Sequence, residues 1–104
     1  MAFDGYEGEV VSLQDAASWT EAFRDAHPKA IKAFFAGKHR LDAILTQKGC
    51  VGVRAYNGIH PKDGPCLIMV GCDAEGNDLT EGIIIERFPP CPPYCGEGNA
   101  LNGD

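Results

Sequence analysis

The feature that most constrains the fold is residues 89–95, which read Pro-Pro-Cys-Pro-Pro-Tyr-Cys. Four of the seven prolines and two of the five cysteines fall in this short stretch. Proline fixes the backbone φ at about −65° and has no amide hydrogen, so the stretch can be neither a helix nor a central strand. The sequence therefore predicts a domain over residues 1–88 and a Pro/Cys-rich tail over residues 89–104 that packs on it, with residues 89–93 extended and close to polyproline II.

The chain as a whole has the composition of one small globular domain. Of its 104 residues, 44% are hydrophobic and 23% are charged, which is enough for a core without metal or disulfide help. The formal net charge of −6 argues against nucleic acid or a membrane surface as partner, because phosphate recognition needs basic groups. The first residues are acidic and no apolar run is long enough to span a bilayer, so we expect a cytoplasmic protein.

Helical signals are concentrated in the first half of the chain. Ser12 is a good N-cap with Asp15 three residues later, and Pro28 disfavours helix at the preceding residue. These signals predict a helix over residues 13–26, with an apolar stripe formed by Leu13, Ala16, Thr20 and Phe23 and by Trp19 beside them. A second helix is predicted over residues 39–48. Residues 30–36 alternate like a strand, although a continued helix also fits them.

Strand signals dominate the second half. Strands are predicted over residues 50–56, 66–72 and 79–88, with a loop opened by Asn57-Gly58 and a hairpin turn at residues 73–78. The fold class is thus α+β, a two-layer domain with a three- to four-stranded, largely antiparallel sheet and two helices on one face. Residues 1–11 are expected to form a loose arm, and the tail to cover the other sheet face.

Cys91 and Cys95 in the tail leave three interpretations open. In the first, the tail is structural: Tyr94 and Leu101 anchor it in apolar hollows, and the cysteines are small buried hydrophobes. In the second they form a disulfide or redox pair, although the redox motif has only two intervening residues and precedes a helix. In the third they are two of four zinc ligands, and the other two come from elsewhere. Cys66 and Cys72 are too far apart on one strand to contribute both, so Cys50 or one of His27, His39 and His60 is needed.

No motif of a known catalytic class is present. The chain has no Gly-x-Ser-x-Gly, no P-loop and no calcium loop, since Ile84 stands where the bidentate glutamate would be. His60 is predicted in a loop, where a single histidine is usually a surface residue. We therefore predict no catalytic residue and no cofactor, with zinc as the alternative.

The tail, with Pro-Cys-Pro-Pro-Tyr-Cys-Gly at residues 90–96 and Asn-Ala-Leu-Asn at residues 99–102, resembles a group of small uncharacterised bacterial proteins. The likeness extends to Ser12-Leu13, Gly49-Cys50 and residues 70–78. It implies a bacterial, cytoplasmic protein and carries over no activity. We expect a non-enzymatic interaction or structural module that binds an unknown protein partner or forms a homo-oligomer. The alternative is thiol-based redox chemistry or metal binding through Cys91 and Cys95.

Overall fold

The computed structural model describes residues 2–103 and has α+β architecture. Its elements are α1 (Leu13–Ala26), β1 (Ala33–Phe34), α2 (Lys38–Leu45), β2 (Gly52–His60), β3 (Gly64–Cys72), β4 (Ile84–Ile85) and β5 (Pro90–Cys91). Strands β2, β3 and β4 form an antiparallel sheet with β3 in the centre, and β1 pairs with β5. The predicted α+β class and the antiparallel meander of the second half are confirmed.

The chain divides into two compact units. The sheet unit comprises residues 2–7 and 36–88, with α2 and the three-stranded sheet. The tail unit comprises residues 8–35 and 89–103, with α1 and the β1–β5 pair. The predicted tail thus belongs to the same unit as the first helix, except for residue 104, which lies outside the described residues.

The β2–β3 hairpin is longer than the sequence predicted. Its register runs from Gly52 opposite Cys72 to His60 opposite Gly64, so Asn57-Gly58 continues the strand instead of opening a loop. The turn occupies residues 61–63, where the His60 Nδ1 accepts hydrogen bonds from the amides of Lys62 and Asp63, each at 3.1 Å. Gly64 then closes the turn with a φ of +79°, which glycine adopts without strain.

The core of the sheet unit lies between α2 and the sheet. Ile44 of α2 is 1% exposed and packs over β3, in which Val70 and Cys72 are also buried. Gly71 is required at this contact, because a Cβ on it would lie 2.9 Å from the Cys50 Sγ and 3.2 Å from the Ile44 Cγ2. The missing side chain therefore lets the helix approach the central strand closely.

The predicted strand over residues 79–88 is reduced to Ile84–Ile85. Residues 79–82 turn, with the amide of Gly82 bonded to the carbonyl of Leu79 at 3.0 Å. The Oε1 of Gln47, just after α2, accepts the Ile83 amide at 2.8 Å. Because that amide bonds to a side chain, it does not join the β ladder, and pairing starts one residue later.

In the tail unit, α1 has the predicted bounds and the predicted cap. The Ser12 Oγ accepts a hydrogen bond from the Asp15 amide at 3.0 Å, as an N-cap serine does. The segment 30–36 contains a strand, but only Ala33–Phe34 pair with another strand. No helix within residues 2–103 has the length and apolar character needed to cross a lipid bilayer.

Candidate functional site

The Pro/Cys-rich segment forms a strand followed by a tight turn. The amides of Lys32 and Phe35 bond to the carbonyls of Cys91 and Pro89, each at 2.9 Å. The Tyr94 amide then bonds back to the carbonyl of Pro90 at 2.9 Å, which reverses the chain direction. The prediction of a continuous polyproline-II segment is therefore wrong, since that conformation has no internal hydrogen bonds.

Cys91 and Cys95 form a disulfide across this turn, with their Cα atoms 4.9 Å apart. Cys91 is 7% exposed and Cys95 is half-buried. No helix follows the pair among residues 96–103, so it lacks the helix N-terminus that activates thiols in redox motifs. A bonded sulfur offers no thiolate to zinc, and residues 2–103 contain no cluster of three His, Cys, Asp or Glu placed to hold a metal.

The predicted anchors Tyr94 and Leu101 do not fill apolar hollows. Their side chains are 69% and 44% exposed. Polar contacts to the backbone hold the end of the tail instead: the Arg24 Nη1 donates to the Leu101 carbonyl at 2.7 Å, and the Lys32 Nζ to the Asn102 carbonyl at 2.5 Å. Leu101 is thus held through its backbone and not through its apolar side chain.

Helix α1 displays apolar residues to solvent. None of its 14 residues is buried. Its half-buried positions, spaced three and four apart on one side, are Ala16, Ala17, Thr20 and Arg24. On the adjacent side lies the apolar face, which we define as Trp19, Ala22, Phe23 and Ala26, all exposed. The sequence pattern located the apolar residues of α1 but did not predict their exposure. Periodicity does not show which side of a helix packs inward, and in α1 it is the side that contains Ala16, Ala17 and Thr20.

A basic cleft lies beyond the end of α1. It has a volume of about 240 Å³ and is lined by Arg24, His27, Pro28, Lys29, Ala30, Lys32 and Pro92. Phe23 of the apolar face meets the ring of His27 with a centroid distance of 4.9 Å. The cleft was not predicted from the sequence, although the spacing of Arg24, His27, Lys29 and Lys32 is a local signal for a positive surface.

A polar cluster in the sheet unit joins β2 to the hairpin turn. The Arg54 Nη1 donates to the Asp78 Oδ1 at 2.5 Å and to the Gly76 carbonyl at 3.0 Å. The Tyr56 hydroxyl donates to the other Asp78 oxygen, and the Cys72 thiol donates to Oδ1 at 3.2 Å. This cluster was not predicted from the sequence, in which Asp78 carries only the signal of a turn residue.

The electrostatics of this cluster favour an inert thiol. Hydrogen bonds from Tyr56, Cys72 and Arg54 lower the pKa of Asp78. Burial and the bond to Asp78 raise the pKa of the Cys72 thiol, so the thiol stays protonated. A cavity of about 260 Å³ adjoins Cys72 and Arg54, with Phe3, Gly5, Glu7, Val51, Gly52 and Val53 as its other walls. Because the thiolate is the nucleophile, this arrangement supports structure and not cysteine catalysis.

The remaining cysteines, Cys50 and Cys66, are free thiols and half-buried, and Cys72 is free and buried. No protein-family model, no curated protein and no solved structure matches the chain.

Proposed function

We propose that the protein is a non-enzymatic interaction module of the bacterial cytoplasm, and that α1 docks through its apolar face into a groove of another protein. The observation that carries this proposal is the exposure of the apolar face: Trp19 is 61% exposed and Phe23 is 44% exposed. The four residues of the face are spaced i, i+3, i+4 and i+7, the spacing by which a helix fills an apolar groove.

The partner is expected to have basic residues at the rim of its groove. Glu21 and Asp25, one helical turn apart, lie on the exposed, polar side of α1. A second copy of the chain is a poor occupant, because every copy has a formal net charge of −6 and repels the next. Charge complementarity therefore favours a different protein with an apolar groove and a positive rim.

The exposed aromatic side chains of the apolar face can supply part of the binding energy. A fully buried aromatic side chain removes about 150–250 Å² from water, and roughly half of this area is still exposed on Trp19 and Phe23. At about 25 cal/mol per Å², burial of both would contribute about 5 kcal/mol before the costs of association.

The test compares the partners of three proteins purified in parallel: wild type, Trp19→Ala/Phe23→Ala, and the matched control Tyr6→Ala/Ile59→Ala. Tyr6 and Ile59 are 88% and 86% exposed in the sheet unit, so the control removes similar apolar area elsewhere. Proteins retained by wild type and control but lost by the α1 variant would be purified and titrated by calorimetry, because the variant lacks Trp19, the single tryptophan of the chain.

A Kd that rises at least about tenfold for the α1 variant and is unchanged for the control supports the proposal. If both variants retain the same proteins as wild type, or if nothing binds, the docking role is wrong. Sedimentation as a dimer that Trp19→Ala/Phe23→Ala dissociates would assign the face to a second copy instead.

A second candidate is thiol–disulfide chemistry at Cys91 and Cys95, which the bond between them favours. In the reduction step a partner dithiol gives two electrons and two protons to the Cys91–Cys95 bond. The partner becomes a disulfide, and Cys91 and Cys95 become thiols. The glutathione and thioredoxin systems of a cytoplasm reduce such a bond, so it is present there only if the protein is repeatedly oxidised again. Trapping thiols in intact cells tests this: a pair that is always fully reduced, or never reduced, is not cycled.

Zinc binding belongs with this second candidate, because it requires the dithiol form of Cys91 and Cys95. The measurement is the zinc content of reduced protein purified without chelator. Content near one equivalent that falls in Cys95→Ala supports it, and content below about 0.2 equivalents contradicts it.

A further inference from the structure

The basic cleft concentrates the positive charge of the tail unit. The cleft is lined by every lysine and arginine of residues 8–35 and 89–103, namely Arg24, Lys29 and Lys32. His27, the histidine of the same residues, is a fourth wall. No carboxylate lines the cleft among the described residues, although this unit also contains Glu9, Asp15, Glu21, Asp25 and Glu97. The signs of charge are therefore segregated within the unit.

The end of α1 explains only part of this segregation. A helix C-terminus carries a partial charge of about −0.5, which attracts basic side chains. The full positive charges of Arg24 and Lys29 alone exceed that amount severalfold. Lys29 and Lys32 also follow the helix, which ends at Ala26, so they lie beyond the last turn in which such pairing is strongest.

Two of the cleft's cations are already oriented by the chain. Arg24 is held by its bond to the Leu101 carbonyl, which engages one of its nitrogens and leaves other guanidinium donors. Lys32 is held by its bond to the Asn102 carbonyl. Side chains fixed in this way lose less conformational entropy when a ligand binds.

We propose that the basic cleft binds a small multivalent oxyanion, of the kind presented by a phosphate or by a polycarboxylate. Its volume of about 240 Å³ is slightly below the range of about 300–1,000 Å³ typical of small-molecule sites. Guanidinium and ammonium groups form the strong, charge-assisted hydrogen bonds that bind such anions. Three cations suit a single small anion, whereas the net charge of −6 opposes a long polyanion.

The cleft and the apolar face share no residue, although Phe23 of the face contacts His27 of the cleft, and this inference does not rest on the docking role of α1. Ligands of the cleft are probed with small anions alone, and the docking experiment alters no residue that lines the cleft. Either proposal can therefore fail without the other.

The test is a titration of uniformly ¹⁵N-labelled full-length protein with inorganic phosphate and, separately, with citrate, followed by amide chemical shifts. Sodium chloride at matched ionic strength is the reference, because it screens charges without occupying a specific site. Two variants are compared: Lys29→Glu in the cleft, and Lys62→Glu in the β2–β3 turn. Lys29 and Lys62 are both exposed, and both variants have the same net charge.

We expect saturable amide shifts at residues 24–27 and 29–32 with a Kd below about 10 mM for at least one anion. Lys29→Glu should raise that Kd at least about fivefold, while Lys62→Glu leaves it unchanged within about twofold. The tighter anion identifies the class, a phosphate or a polycarboxylate ligand.

Three outcomes would overturn the inference. Chemical-shift changes that do not saturate, or that sodium chloride reproduces, would show that the anions only screen the charges of the cleft and do not bind there. Equal weakening in Lys29→Glu and Lys62→Glu means an adventitious ion only. Saturable shifts confined to other residues place the anion elsewhere. A folding control is available in every spectrum, since amides of α1 report on the unit that contains Lys29 and amides of the sheet unit report on the unit that contains Lys62.

Discussion

The two units differ in how they are held together. Of the five buried hydrophobic residues that the described chain contains, Ile44, Val70, Cys72 and Phe88 belong to the sheet unit. The tail unit contributes only Cys91, and its order depends on one disulfide, a two-residue ladder and bonds from basic side chains to the last carbonyls. The comparison teaches that one small chain can combine a unit with an apolar core and a unit whose apolar residues remain available for binding.

The largest expected effect is on the core of the sheet unit. Ile44→Ala removes the most buried side chain and should lower the free energy of unfolding by about 2–5 kcal/mol. Leu45→Ala is the matched control, because Leu45 is the next residue on the same helix and is 45% exposed. Chemical denaturation measures both.

A loss of unfolding free energy below about 1 kcal/mol for Ile44→Ala, or equal losses for the two variants, would contradict the comparison. It would show that Ile44 does not belong to a packed core of the sheet unit.

An intermediate effect is expected in the tail unit. Cys95→Ala opens the disulfide without altering buried Cys91, and closing so short a loop is worth about 2 kcal/mol in the chain-entropy account. The amides of Lys32 and Phe35, which bond to β5 and to Pro89, should lose protection from hydrogen exchange, while those of β3 keep theirs.

Tyr94→Ala is the control for this variant, since it alters an exposed residue of the same turn and leaves the disulfide intact. If Cys95→Ala also exposes β3 amides, the two units unfold together and the comparison between them no longer holds.

The smallest effect concerns acid. Because the Asp78 pKa is lower in the folded protein than the ordinary 3.8, its bonds stabilise the fold at neutral pH. That contribution is lost as the pH falls below 3.8 toward the folded value. Asp78→Asn should therefore lower stability at pH 7 and flatten its decline below about pH 4.

Asp42→Asn, on the exposed surface of α2, provides the control for charge alone. The melting temperature measured between about pH 2.5 and 7 compares the variants. Identical pH profiles for Asp78→Asn and wild type would show that the bonds to the Asp78 carboxylate do not contribute to the stability of the sheet unit.

Local signals in the sequence predicted much of the fold. Ser12 and Pro28 set the limits of α1, and the apolar run at residues 66–72 identified the central strand, because capping and strand patterning depend on neighbours in sequence. The short β4 could not be predicted in this way. It depends on the Gln47 side chain, which bonds to the Ile83 amide from a distant part of the chain.

The surfaces were harder to predict than the elements. The pattern of α1 identified Phe23 and Trp19 as apolar but assigned them to a core, since periodicity does not say which of two stripes packs inward. The basic cleft depends on Arg24 and Lys32 being brought to Pro92 by the β1–β5 pairing. That pairing was unexpected, because proline argues against a strand except at an edge.

The pairing of Ala33 with Cys91 has a consequence for synthesis on the ribosome. At about 5–20 residues per second, the first partner is made several seconds before the second. The β2–β3 hairpin closes between neighbouring segments and forms early, whereas α1 emerges long before β5 exists. During that interval the nascent helix and its aromatic side chains have no completed unit around them, so residues 8–35 are the last part of the first half of the chain to reach their final contacts.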